Sequence, residues 1–539
     1  MKPRIPQIFQ SPVFWLLLGV FALEFFLFDH FGARRHTSIY PRWNDQIQYL
    51  TESYTGYEYA RSRGFVAGLL NALTNPSAQG TLHDFFAIIA FTIAGPSRSA
   101  ALSLNMLALI GWQAVLFFAV ARTSGSRPLA FAAALLPLAL SGPWQNIPGS
   151  AYDFRLDHFA MCALGISAAT AVLADGFHSR SGSTWFGVAV GLTLLTRFLT
   201  GTYFVLIFAG LAAWILLGPP ERKPRCLNLL RAGLIAGAMA GPILWMNYDS
   251  VRDYYWIGHY IGPESAIRNP NMGLGRSLRF VFAQLAQRHL GIFFGALVAG
   301  GTVALAITRS KVRQPANKDA WVVGAVFLLS PALVLTLHPQ KSEVVVSALA
   351  PGVILLAIAA WATAAQKASN SARSVFATVV TVVTLLFFVR TQVPPAFTPA
   401  ALAEIRQVNT IADRVFARAR AAGLREPKVA VDYITDSLDG QVLRVITYER
   451  KRVWLLFDMT LPTGIGEPTE AVVMERLARS DFVFLTEAAP VGPYPFDRKL
   501  AELNPQLRAW CESHLQAAER FTLYGRRMVL YQRRNLPLP

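Results

Sequence analysis

Charged residues are scarce in this 539-residue sequence. Asp, Glu, Lys and Arg together make up 15% of it, whereas soluble domains average about 25%. Hydrophobic residues reach 53%, and the mean hydropathy is +0.37. These values exclude a chain composed only of soluble domains, because apolar segments of this extent are solvated by lipid. The composition therefore indicates an integral membrane protein.

Cysteine and acidic residues are also few. The three cysteines, Cys162, Cys226 and Cys511, lie in an apolar segment, a basic loop and the C-terminal region, a distribution that indicates neither a disulfide nor a metal cluster. Acidic residues number 32 against 50 Lys and Arg, a net charge of +18. Residues 400–539 hold 20 Lys and Arg against 17 Asp and Glu. The excess belongs to the hydrophobic part, where it indicates membrane topology and not nucleic-acid binding.

Long apolar runs are what the sequence does contain. A helix needs about 20 residues to cross some 30 Å of hydrocarbon. The first run follows Lys2 and Arg4, but no small-residue cleavage site comes after it, so it is interpreted as a span and not as a signal peptide. About eleven transmembrane helices are predicted, near residues 12–29, 97–120, 128–142, 156–174, 184–197, 200–218, 229–247, 290–308, 321–337, 343–363 and 374–390.

Lys and Arg cluster in alternate loops between these runs. A cytoplasmic N-terminus places every basic cluster on the cytoplasmic side. An odd number of spans then places the C-terminus on the other side, together with two long loops near residues 30–96 and 248–289. The clusters that fix this orientation are Arg122 and Arg127; Arg180; Arg222, Lys223 and Arg225; Arg309, Lys311, Arg313 and Lys318; Lys367 and Arg373.

A proline-rich stretch, Val393 to Pro399, is interpreted as a linker that ends the membrane region. It divides the chain into a multi-pass transmembrane domain, 1–395, and an extracytoplasmic soluble α/β domain, 396–539. The fold predicted is thus a polytopic α-helical membrane protein with a C-terminal extracytoplasmic α/β domain. Within that domain the patterns predict helices over 400–422, capped by Gly423, and 505–520, and strands over 428–433, 481–485 and 527–531.

The first outer loop holds a candidate general base. Asp45 stands among the aromatic and amide side chains of residues 40–50, with Glu52 shortly after. A lone carboxylate in such a setting suits a base that contacts a hydroxylated substrate. An interfacial aromatic belt with ordinary loop charges explains the same pattern equally well.

A second acidic position lies at the mouth of the span that begins near residue 156. Asp153 and Asp157 are four residues apart, so a helix that starts early carries both carboxylates on one face. Such a pair could hold a metal or a cationic group. Helix N-terminal capping is the alternative explanation for one of the two.

Three further positions carry basic or aromatic residues. His338 and Lys341 lie in a short outer turn, where a Lys with a neighbouring His could bind a phosphate. Tyr255 and His259 belong to a basic, aromatic loop that resembles a lipid-phosphate rim, or else a solvated amphipathic loop. Arg197 stands between two apolar stretches, where it should either reach the interface or meet an anion.

The order of these features resembles the GT-C superfamily of membrane glycosyltransferases, related to the family that includes protein mannosyltransferases and the lipid A aminoarabinose transferase. Asp45 stands where members have a catalytic acid in a long first outer loop, and Asp153 to Asp157 where they have a second acidic motif. Residues 78–98 resemble the route from the first loop to the second span. The resemblance covers roughly residues 12–390. One departure is Asn44-Asp45-Gln46, where many members have two adjacent acids.

The resemblance implies an inverting hexosyl- or pentosyltransferase of the membrane, with a bacterial inner membrane as the expected location. It would move a sugar from a polyprenyl-phosphate donor to a glycan, lipid or protein acceptor on the outer face. No cofactor is certain, and a divalent metal is left open. The implied roles are general base for Asp45, acceptor or metal contact for Asp153 and Asp157, donor-phosphate binding for Arg197, His338 and Lys341, and a rim position for Tyr255, His259 and Glu52.

Two other functions compete with this one. A transporter or flippase of a lipid-linked or anionic substrate explains the many spans, but it predicts internal repeats and polar residues near the membrane midplane. The sequence shows no repeat at a fixed period, and its polar residues gather at the outer ends of the spans. A scaffold that only presents the outer domain would need no acidic residues in the outer loops.

The topology can be tested with reporters that are active only outside the cytoplasm. A fusion after Pro399 should be active and a fusion at Arg225 silent, because the basic loops fix the orientation. The reverse pattern would place every candidate site in the wrong compartment.

Overall fold

Helices dominate the computed structural model, which describes residues 12–37, 44–218, 221–261, 270, 272–307, 318–366, 368–393, 399–431, 440–454, 456–459, 469–488, 495–523 and 526–536. Parts of several features used above lie outside these residues: Lys2 and Arg4; positions 38–43 of the first long loop; positions 262–269 and 271 of the second long loop; Arg309, Lys311, Arg313 and Lys367; positions 394–398 of the linker; and positions 432–433 of the first predicted strand.

The membrane region is built from α-helices joined by short turns. Its α-helices are α1 Pro12–Leu27, α2 Arg34–Thr37, α3 Asn44–Arg63, α4 Phe65–Thr74, α5 Leu82–Ala94, α6 Arg98–Ser124, α7 Arg127–Leu135, α8 Leu156–Leu173, α9 Arg180–Thr196, α10 Thr200–Leu217, α11 Arg222–Met246, α12 Tyr248–Val251, α13 Leu274–Gln284, α14 Gly291–Ile307, α15 Lys318–Leu337, α16 Ala350–Ala365 and α17 Asn370–Gln392. Segments of π-helix cover Phe28–Ala33, Arg252–Ile261 and Leu285–Leu290, and 3-10 turns cover Leu136–Ala139, Gly142–Trp144 and Val345–Leu349.

Nine helical segments of the described residues are long and apolar enough to cross a membrane. Two predicted spans take a shorter form: residues 128–142 contain α7 followed by a 3-10 turn, and the span predicted at residues 184–197 lies in the 17-residue helix α9 except for Arg197, which follows that helix. Apolar side chains such as Ile292 and Leu217, which are 93% and 86% exposed, suit a lipid-facing surface. The prediction of a polytopic helical membrane protein is confirmed.

Small residues let the membrane helices approach one another closely. A Cβ on Gly187 of α9 would lie 2.6 Å from the carbonyl oxygen of Ala232 in α11. A Cβ on Gly352 of α16 would lie 2.5 Å from the backbone nitrogen of Leu328 in α15. Packing of this kind is typical of helices in lipid, where dispersion contacts between close backbones drive association.

The C-terminal residues form the predicted α/β fold. Their elements are α18 Pro399–Ala421, β1 Lys428–Val431, α19 Gly440–Lys451, β2 Leu456–Met459, α20 Glu470–Arg479, β3 Phe482–Thr486, α21 Pro495–His514, β4 Leu515–Leu523 and β5 Arg526–Arg533. The strand order is β2-β1-β3-β5-β4; β1 is parallel to β2 and β3, and β5 is antiparallel to β3 and β4. Gly423 ends α18 with a φ of 69°, as the cap prediction requires.

One prediction for this fold is wrong. Residues 515–520 were expected to continue a helix from Pro505, but they form the first part of β4. The pairing of β4 with β5 slips between Ala517 and Glu519. That irregularity breaks the period-two alternation by which a strand is recognised in a sequence.

Packing divides the chain into two compact units. The first unit contains residues 1–34, 55–95 and 99–394, and the second contains residues 35–54, 96–98 and 395–539. The second unit therefore includes part of the first long loop as well as the C-terminal residues. The boundary at residue 54 falls inside α3.

Candidate active site

Arg197 occupies the break between α9 and α10. It follows the last residue of α9 with an extended backbone, φ −152° and ψ 112°, and its amide still donates to the carbonyl of Thr193. Three residues later, at Thr200, the chain enters α10. The break brings a guanidinium to the end of two apolar helices, where its long side chain can reach polar groups.

A non-helical strap, residues 79–81, fixes this break. The amide of Thr81 donates to the carbonyl of Leu195 at 2.9 Å, and the amide of Phe198 donates to the carbonyl of Gln79 at 2.7 Å. Between them, a Cβ on Gly80 would lie 2.2 Å from the carbonyl oxygen of Thr196. Only glycine permits this approach.

Asp157 and Arg197 form an ion pair through Oδ1 and Nη1. Both side chains are largely buried, at 7% and 14% exposed, and Asp157 lies in the first turn of α8. The pair lines a cavity of about 10 Å³ together with Tyr203 of α10 and Ser347, which is room for roughly one water molecule. Asp157 thus holds the guanidinium at the ends of three helices.

Asp153 does not share a helix face with Asp157, because α8 begins only at Leu156. The one-face geometry expected from the four-residue spacing is therefore wrong. Asp153 is fully buried, and its Oδ2 accepts a hydrogen bond from the amide of Gly149 at 2.7 Å. Its carbonyl accepts from Nδ2 of Asn105 at 3.0 Å. In this geometry Asp153 stabilises the turn that leads into α8.

The π-helical segment Arg252–Ile261 brings aromatic residues to the same region. Burial raises the pKa of the Tyr255 phenol, and the nearby Arg197 charge opposes that rise. The ring of His259 lies 5.4 Å from that of Tyr255 and 5.7 Å from that of His338. The structure therefore brings together three positions that lie far apart in the sequence. They are Arg197, the loop that holds Tyr255 and His259, and the turn at His338.

Lys341 has a structural role that the sequence does not indicate. Its Nζ donates to the carbonyls of Leu335, Thr336 and His338 at the end of α15, which places a cation where the helix dipole is negative. Burial lowers the pKa of Lys341. Burial also lowers the pKa of His338; its hydrogen bond with the Gln340 carbonyl opposes this shift, and the Lys341 charge adds to it.

A cavity of about 420 Å³ opens beside this turn. His338, Lys341, Thr336 and Ser277 supply its polar lining, and Met272 and Leu274 are among its apolar lining residues. The volume lies in the range of small-molecule sites, about 300–1,000 Å³. Apolar and polar walls with an ammonium at the edge suit an amphiphile with an anionic group.

Asp45 and Glu52 lie on α3, in the part of that helix that belongs to the second unit. Asp45 is in the first turn and exposed. Glu52 is exposed, and its Oε1 accepts a hydrogen bond from Nε2 of Gln48 at 2.8 Å. Within the described residues no three His, Cys, Asp or Glu side chains come together as metal ligands.

Glu449 anchors the first-loop residues of the second unit, and the sequence gives no signal for it. Its carboxylate accepts hydrogen bonds from the Tyr54 hydroxyl at 2.8 Å and from Nε of Arg98 at 3.0 Å. Arg98 also donates to the carbonyl of Thr37. Burial and the Glu449 charge raise the pKa of Tyr54. The end of the α3 segment that carries Asp45 is thus bound to α19.

Two solved structures share the fold of this chain over nearly its whole length. The crystal structure of ArnT from Cupriavidus metallidurans bound to undecaprenyl phosphate has a TM-score of 0.59 and 15% identity, and the match covers 98% of this chain and 100% of that one. The apo structure of the same protein has a TM-score of 0.58 and 13% identity, with 96% and 97% covered. No protein-family model and no curated protein sequence matches significantly. The chain therefore has the fold of the two ArnT structures.

Glu449→Ala should loosen the first half of α3. The change leaves Arg98 and Tyr54 facing a site that has lost its carboxylate, and removing one partner of a buried ion pair costs about 3–5 kcal/mol. Hydrogen exchange of the full-length protein, read by mass spectrometry, should be faster over residues 44–54. Glu449→Gln keeps an acceptor and should give a smaller change.

Glu475→Ala is the matched control, since this exposed residue pairs only with Arg479, four residues along α20, among the ion pairs described. Unchanged exchange over residues 44–54 in Glu449→Ala would mean that the network does not anchor α3.

Proposed function

We propose that this protein is an inverting membrane glycosyltransferase that uses a polyprenyl-phosphate sugar as donor. The acceptor is a glycan, lipid or protein group on the outer face of a bacterial inner membrane. The observation that carries the proposal is the Asp157–Arg197 pair beside Tyr255, His259 and His338, in a chain with the fold of ArnT. The first of the two ArnT structures holds undecaprenyl phosphate, which supports a polyprenyl-phosphate donor for this protein.

The two cations of the candidate site, Arg197 and Lys341, suit a departing lipid phosphate. When the bond between the anomeric carbon and the phosphate oxygen breaks, negative charge develops on that oxygen. Preorganised cations stabilise this charge more strongly in a site shielded from water. Arg197 is held in position by Asp157, so in this proposal Asp157 positions the donor-binding guanidinium. The 420 Å³ cavity at His338 and Lys341 would take the rest of the donor head.

The acceptor requires a base. Asp45 would remove the proton of the acceptor hydroxyl as its oxygen attacks the anomeric carbon from the side opposite the phosphate. One such displacement inverts the anomeric centre. The assignment rests on the exposed position of Asp45 at the start of α3 and on its place in the first outer loop.

Asp45→Asn should reduce sugar transfer by about 10²- to 10⁴-fold, because Asn keeps the shape of the side chain but accepts no proton. The measurement is release of polyprenyl phosphate from labelled donors by the purified full-length protein in nanodiscs, with candidate acceptors added. Expression and thermal stability should stay the same, since exposed substitutions usually change stability by less than about 0.5 kcal/mol.

Asp249→Asn is the control, an exposed acid in the other long outer loop. Near-normal transfer by Asp45→Asn would show that the general base does not lie in the first loop. Movement of labelled lipid across the bilayer, without release of polyprenyl phosphate by the unaltered protein, would favour the transporter.

Asp157→Asn and Arg197→Ala should both raise the KM for the donor and lower kcat, because Arg197 is assigned both to binding the donor phosphate and to stabilising the charge that develops on it. If Asp157 acts by positioning Arg197, the double variant should be no worse than Arg197→Ala alone, because contacting residues are not additive. Lys341→Ala is the comparison: it removes a cation but leaves the ion pair, so its effect should add to that of Asp157→Asn. Full additivity of Asp157→Asn with Arg197→Ala would show that Asp157 has a separate role.

A further inference from the structure

A third cavity lies between α6, α8 and α9, and it shares no lining residue with the two cavities described above. Its volume is about 620 Å³, within the range of ligand sites. Most of its wall is apolar and includes Val115 and Phe118 of α6, Ile166 of α8, and Val188 and Leu192 of α9. Thr170, also in the wall, donates its hydroxyl hydrogen to the carbonyls of its own helix.

The polar groups of this cavity gather at one end. Arg122 near the end of α6, Ser179 at the N-cap of α9 and Ser181 in its first turn all line it. Arg122 donates from Nη1 to the carbonyl of Leu173 at 3.3 Å, and among the described residues no carboxylate pairs with it. This end of the cavity thus offers a guanidinium and hydroxyls to an anion.

The apolar part has the length of one lipid leaflet. Ser181 and Leu192 are eleven residues apart on α9, which corresponds to roughly 17 Å at 1.5 Å per residue. Half of a hydrocarbon core about 30 Å thick is of the same size. Trp185, near the polar end, is 63% exposed, as expected of a tryptophan at a membrane interface.

The cavity and the candidate active site lie at opposite ends of α9. Arg197 follows the last residue of this helix, and Ser179 precedes its first. Seventeen helical residues separate them by roughly 25 Å, which is close to the thickness of a hydrocarbon core of about 30 Å.

We propose that this cavity, the α6–α9 groove, binds one acyl chain of an anionic phospholipid from the leaflet opposite the active site. The phosphate lies at Arg122, where a charge-assisted hydrogen bond favours it, and the chain runs along Val115, Val188 and Leu192. A single leaflet-length groove suits an acyl chain better than a long polyprenyl chain, which needs a longer path.

The test uses the full-length protein and phosphatidylglycerol that carries a photoreactive group at the end of one acyl chain. Labelled peptides should include the groove residues of α6 and α9. Unlabelled phosphatidylglycerol should compete, and uncharged diacylglycerol with the same chains should compete at least about tenfold more weakly, as expected when a hydrogen bond to a charged group is lost.

Two variants test the two halves of the groove. Arg122→Gln should weaken the competition by phosphatidylglycerol about tenfold or more, while Arg122→Lys should retain most of it. Val188→Trp should fill the apolar part and abolish labelling of α6. The controls are Arg222→Gln, an exposed basic residue at the start of α11, and Val205→Trp, 69% exposed on α10.

Equal competition by phosphatidylglycerol and diacylglycerol, or full labelling of Val188→Trp, would overturn the proposal, because the lipid would then be ordinary annular lipid. Competition by polyprenyl phosphate but not by phosphatidylglycerol would also overturn it. These outcomes do not depend on sugar transfer, which is measured separately.

Discussion

The ion pair between Asp157 and Arg197 is the contact on which the active-site end of the membrane unit depends. Moving two charges out of water is costly, and their attraction offsets that cost only when the geometry is well held. Here the backbone at Arg197 is fixed by the strap around Gly80, and Asp157 lies at a helix N-terminus, where the dipole favours a carboxylate. The pair therefore holds the start of α8 against the break between α9 and α10. A cation held in advance needs no rearrangement when an anion arrives.

The membrane fold was largely predictable from the sequence, because lipid imposes a minimum length of apolar residues on every spanning helix. The exceptions have local causes. The 3-10 turn after α7 contains Pro137, which cannot continue an α-helix, and α9 ends where the chain must turn at Arg197. In the C-terminal fold, the irregular pairing of β4 hides the strand from a periodicity analysis. Strand patterns elsewhere were regular enough to predict β1, β3 and β5 to within a few residues.

The residues of the candidate site were easier to find than their contacts. An ionisable residue among apolar runs is a candidate functional residue, and Arg197 and Asp157 can be recognised in the sequence on this ground. The partner depends on the path of the folded backbone even when it is local, so the sequence did not reveal that Asp153 accepts from the amide of Gly149 or that Lys341 donates to the end of α15. Glu449 is the extreme case. It lies 351 and 395 residues from its two partners, a separation at which no spacing rule operates.

The way the chain is divided between the two units has an evolutionary consequence. The backbone passes from one unit to the other five times, and α3 begins in the second unit and ends in the first. Domains that are exchanged by recombination are usually single stretches of chain with exposed boundaries. A gene segment encoding only the C-terminal residues would leave behind Tyr54 and Arg98, the partners of Glu449. Lineages should therefore inherit the two units as one piece, with substitutions at these three positions fixed together.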